Sequence, residues 1–87
     1  MNAQELALIL QEGEGYQIEF KENVNTDLAK ELVAMANSSG GRIFIGISDQ
    51  NQIIGITPSN SLFSQIQGVA SNCDPAVPVE LETYQHI

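Results

Sequence analysis

Apolar positions along this chain switch repeatedly between a helical and an extended spacing, and each switch marks an element. Leu6, Ile9 and Leu10 form a short helical stripe that Asn2 can cap, with Glu5 reaching back from the third position, and that Gly13 ends. From Tyr16 to Lys21 the spacing changes to two, with Tyr16, Ile18 and Phe20 alternating with Gln17, Glu19 and Lys21, which predicts a strand with one face in the core. Residues 22–25 read as a loop. Asn25 or Thr26 can cap the next helix, whose first turn holds Asp27 and whose core face carries Leu28, Leu32 and Met35, with Lys30 and Glu31 expected in solvent.

The second half repeats the alternation. Residues 42–48 are the most apolar strand, with Ile43, Ile45 and Ile47 expected on one side and Phe44 and Gly46 on the other, so the strand is expected to be central. Turn formers at residues 49–52 join it to Ile53–Ile56 as a hairpin, with Asn51 able to take positive φ. Glycine weakens a strand unless something approaches closely, so Gly46 and Gly55 predict a bulge or tight packing. Leu62, Ile66 and Val69 predict a third helix from residue 60 or 61 to about residue 72. After the turn at residues 74–78, Val79 and Leu81 alternate with Glu80 and Glu82 as the start of a last strand.

The predicted order is α-β-α-β-β-α-β: an α+β domain whose small mixed sheet of about four strands carries two to three packed helices. Length allows one small domain over residues 1–87, with a modest core. A composition 43% hydrophobic and 16% charged belongs to a folded unit, not a disordered one. Neither a secretory signal nor a run long enough to span a bilayer is present, so a cytoplasmic location and no membrane partner are expected. The lone Cys73 has no partner for an internal disulfide and reads as packing.

Three Lys and Arg against eleven Asp and Glu, a net charge of −8, leave little to neutralise phosphates. Charge alone therefore argues against nucleic acid, because phosphate neutralisation supplies most non-specific affinity.

A resemblance points the other way. Glu14-Gly-Tyr-Gln-Ile-Glu-Phe-Lys21, the helix end and double glycine of Ala36-Asn-Ser-Ser-Gly-Gly41, and Gly46-Ile-Ser-Asp49 followed by Ile54-Gly55 resemble, in order and spacing, the Alba-like domain of Schlafen-type proteins. Such domains occur at the N-termini of RecG-related helicase-like proteins and of transcriptional regulators, and relatives have been described as divergent ATPase domains. The resemblance implies a DNA- or RNA-binding or regulatory module that works within a larger protein and needs no cofactor. It also implies that the domain continues with another strand, so truncation at the C-terminal strand is expected. No Gly-Lys-Ser/Thr follows the double glycine, so ATP binding has no Walker loop to rest on.

Two sets of site residues follow. In nuclease-active Schlafen relatives an acidic trio in matching positions supports metal-dependent RNA cleavage, which nominates Glu14, Glu19 and Asp49 as catalytic and Mg²⁺- or Mn²⁺-binding residues. A straight strand would hold Glu14 and Glu19 about 16 Å apart and on opposite faces, so only a bend at residues 13–15 unites them. Otherwise Glu19 and Lys21 form a surface pair and Asp49 serves its turn. Lys21 and Arg42 are the candidate phosphate contacts, with the Gly40 and Gly41 amides as a candidate anion nest. The same two glycines predict the helix-to-strand joint, one of them at positive φ. Tyr16 and Phe20 are expected in the core, and His86 has no motif partner for a catalytic dyad. The acidic surface and an unpaired last strand also admit a protein-interaction domain or a homo-oligomer.

Overall fold

The computed structural model of the chain describes residues 1–85. Its elements are α1 (Ala3–Glu12), β1 (Ile18–Lys21), α2 (Leu28–Asn37), β2 (Arg42–Ile45) and α3 (Asn60–Ser71). Local chemistry sets their ends. Asn2 Oδ1 accepts from Glu5 N–H at 2.8 Å to start α1, and Ser59 Oγ accepts from Leu62 N–H at 3.0 Å to start α3. Before α2, Asn25 Oδ1 takes the N–H of Asp27 at 3.0 Å.

β1 and β2 pair in parallel, Ile18 opposite Arg42 through Lys21 opposite Ile45, with α2 as the crossover. Both faces of this ribbon are covered. On one side α1 supplies Leu6 and Ile9 to Phe20 and Ile47, with Ile18 and Phe44 packed against them. On the other, Ile43 and Ile45 lie on a second cluster built by Leu28 and Leu32 of α2 and Ile66 and Ala70 of α3. The Phe20 and Phe44 rings meet edge to face at 6.1 Å.

Strand content is the main correction. Among the described residues the sheet holds two strands, not about four. The hairpin expected at Ile53–Ile56 survives as a single antiparallel bridge between Ile47 and Ile53. Residues 79–82 form no strand with any of the described residues. The order is therefore α-β-α-β-α, with the remaining two strands unformed.

Gly46 accounts for part of this. It sits at φ +104°, and its N–H and that of Ile47 both donate to Lys21 O, at 2.6 and 3.2 Å, so two residues oppose one. This bulge reverses the alternation. Ile47 consequently leaves the side of Ile43 and Ile45 and joins Phe20 beneath α1. A Cβ on Gly46 would stand 3.0 Å from Gly55 C, and Gly46 O accepts from the N–H groups of both Ile54 and Gly55. Backbone packs on backbone here, as the two glycines predict.

The double glycine forms the joint it predicts, with a different task for each residue. Gly40 lies at φ +82° and closes α2 by donating its N–H to Met35 O at 2.8 Å. Gly41 is needed for space, since a Cβ there would meet Met35 Sδ at 2.8 Å and Gln17 O at 3.0 Å. Cys73 is packing, half-buried with Sγ donating to Val69 O at 3.4 Å.

Candidate functional site

Gly13 ends α1 at φ +80°, and the chain then turns back on itself: Gly15 N–H donates to Ile18 O at 3.0 Å around Tyr16 and Gln17. β1 therefore starts at Ile18, two residues later than the alternation predicts, and Tyr16 is 99% exposed at the tip of the turn instead of in the core. The same turn folds Glu14 beside the strand, where its Oε1 accepts from Phe20 N–H at 3.3 Å. The bend on which the union of Glu14 and Glu19 depends is present.

Lys21 projects toward α2 and is buried, with 8% of its surface exposed. Its Nζ lies 2.8 Å from Glu31 Oε1, so Lys21 does not pair with Glu19 at the surface, and Glu31 is half-buried instead of in solvent. The pair is close but poorly directed for a hydrogen bond, and buried Glu31 Oε1 accepts none among the described residues. Burial pushes the Glu19 carboxyl above its ordinary 4.5, helped by the charges of Glu14 and Glu31 and opposed by Lys21. Glu14 and Glu31 thus lie close enough to Glu19 for their charges to act on it, with the Lys21 ammonium as the counterweight.

Asp49 lies apart from this group in chain and setting. It is exposed on a turn that Ser48 Oγ organises by accepting from Gln50 and Gln52 N–H, with Asn51 at φ +61°. Asn51 Nδ2 ties the turn to α1 by donating to Leu10 O at 3.3 Å. Among the described residues no three or more His, Cys, Asp or Glu side chains are disposed to hold a metal ion. The carboxylates as placed do not make a ligand set for Mg²⁺ or Mn²⁺, and no metal-dependent step is derived from them. His86 lies outside the described residues.

Of the candidate phosphate contacts, only Arg42 offers its charge to solvent. Its side chain is 54% exposed, over the Phe44 ring at 5.6 Å and 3.8 Å from Glu5 Oε1, a pairing too exposed to hold it firmly. The Gly40 amide is consumed by Met35 O, and Arg42 N–H by Gln17 O at 2.8 Å. An open cleft of about 610 Å³ runs beside the turn, lined by Glu12, Glu14, Tyr16, Ser38 and Ser39, and Arg42 borders a neighbouring one of about 470 Å³. No helix among the described residues is long and apolar enough to cross a membrane.

Sequence reasoning missed Glu31. The signal was present, since Glu31 stands three residues after Leu28 and four before Met35, within the helical spacing of the core face. It missed exposed Tyr16 because alternation carries no mark of where a turn replaces a strand.

No curated protein and no solved structure is similar enough to the chain to count as a match. The Glu14–Lys21 turn and strand, the Gly40–Gly41 joint and the Gly46 bulge all fall within residues 14–86, which match the family model described as Schlafen, AlbA_2, and the chain belongs to that family.

Proposed function

We propose that the chain is a nucleic-acid-binding or regulatory module, working within a larger protein of helicase-like or transcription-regulating type. Membership of the Schlafen, AlbA_2 family is the observation that carries this reading. Arg42 is the side chain best placed to meet a phosphate, and Lys30 on the exposed face of α2 is the second. Lys21 contributes indirectly, by fixing β1 against α2. Titrating labelled single-stranded RNA and duplex DNA at low salt tests the reading: binding should be measurable and weakened by Arg42→Ala. Absence of binding to both would sink it.

A second reading is a metal-dependent ribonuclease using Glu14, Glu19 and Asp49. The turn that lays Glu14 beside Glu19 favours it. That reading requires cleavage of RNA with Mn²⁺ or Mg²⁺ that is lost in Glu19→Gln, and it requires Asp49 to move toward Glu14 and Glu19, since the carboxylates as placed form no ligand set. Cleavage that survives this substitution removes Glu19 from the chemistry.

A further inference from the structure

We propose that Tyr16 stacks on an unpaired base, so that the nucleic acid this module recognises is single-stranded. The inference rests on the nucleic-acid-binding reading above and names the form of strand that site takes. The Tyr16 ring is 99% exposed, although burying an aromatic side chain ordinarily stabilises a fold. Its backbone is nevertheless tied down. Gly13 N–H donates to Ile9 O at 2.9 Å, Gly15 N–H closes the turn on Ile18 O at 3.0 Å, and Glu14 Oε1 accepts from Phe20 N–H beyond it. A fixed turn therefore holds an aromatic face out in water, which is what a stacking platform for a base requires.

Arg42 stands within reach of the same strand. Its N–H donates to Gln17 O at 2.8 Å, which puts the Cα atoms of Arg42 and Tyr16, the residue before Gln17, no more than about 9 Å apart. Both side chains are exposed, and the clefts they border share Glu12, Gly13, Gln17 and Ile18. A nucleotide with its phosphate at Arg42 can therefore lay its base on the ring. Glu12 and Glu14, which border the cleft beside Tyr16, repel phosphates there and leave that end to the base. Pairing decides which strand fits. A base inside a duplex is covered on both faces and offers the protein its phosphates, whereas an unpaired base can leave the stack. With Lys21 held by Glu31, the electrostatic part of binding is small, and one stacked base changes the affinity visibly.

A labelled mixed-sequence DNA strand, alone and annealed to its complement, tests this on the whole 87-residue chain. The single strand should bind roughly tenfold tighter than the duplex, which keeps only the phosphate contact. Tyr16→Ala should remove that preference without changing the melting temperature, and Tyr16→Phe should keep it. The chain has two tyrosines and no Trp, so in a Tyr84→Phe background the tyrosine emission is that of Tyr16, and the single strand should quench it. Equal affinity for the two forms, a preference that survives Tyr16→Ala, or unquenched emission would overturn the stacking while leaving the nucleic-acid reading in place. Binding of neither form would remove both.

Discussion

Lys21 and Glu31 form an ion pair across the β1–α2 interface, Nζ to Oε1 at 2.8 Å, with 7% and 22% of their side chains exposed. Its burial makes it costly to break, since removing one partner leaves the other charge short of water. Lys21→Met should destabilise the chain by roughly 2–4 kcal/mol, somewhat less than a fully buried pair because Glu31 keeps some solvent. The double variant Lys21→Met, Glu31→Leu should recover most of that loss. Denaturant melts of the four proteins in the cycle measure it, and additive single losses would mean that the two side chains do not depend on each other.

The glycines of the joint separate strain from crowding. Gly40→Ala and Gly40→Val should each cost about 1–3 kcal/mol through the φ of +82°, although open space surrounds the site. Gly41→Ala should cost a similar amount for another reason. Met35 can swing aside, but Gln17 O is backbone and already accepts Arg42 N–H. Thermal melts that leave either variant within a degree of the parent would contradict that residue's part in the joint.

Gly46 combines both effects, with φ +104° and Gly55 C 3.0 Å from where a Cβ would stand. Gly46→Ala should therefore exceed Gly55→Ala, costing about 3 kcal/mol or more against about 1 kcal/mol, because Gly55 has positive φ in open space. Equal losses would mean that the backbone approach at the bulge carries no weight.

Proton linkage at Glu19 gives a pH signature. Its native carboxyl is raised above 4.5, so the folded state binds that proton more tightly than the unfolded chain does. The stability this proton confers is present in full below the unfolded value and lost as pH rises through the higher native one. Glu19→Gln, which cannot ionise, should therefore melt higher than the parent at pH 7, with the difference shrinking toward pH 4. A difference that is constant across that range would contradict the burial of Glu19 beside the charges of Glu14 and Glu31.

Helices were legible in the sequence because their signals are local: Asn2 with Glu5 at one start, Leu28, Leu32 and Met35 on one face, Gly40 at one end. The two core strands were legible for the same reason. Face assignment failed at Ile47, where one positive-φ glycine reverses a parity that alternation cannot register. Strand number failed at Ile53 and Val79, because pairing depends on a neighbour and alternation reports only one strand's own faces. At the site, residue types told that Lys21 and Arg42 are cations but not that α2 brings Glu31 over one of them. That is a long-range fact, and it decides which cation faces solvent.

Binding of duplex DNA across a salt series tests nucleic-acid contact by this domain most directly. Of the three Lys and Arg, Lys21 is held by Glu31, which leaves Lys30 and Arg42 to reach phosphates. Two phosphate contacts give a slope of log K against log salt of about −2 at most, and Arg42→Ala should bring it to roughly −1. Binding that weakens with salt along this shallow slope is the expected result. No binding at the lowest salt, or an affinity indifferent to salt, would contradict it.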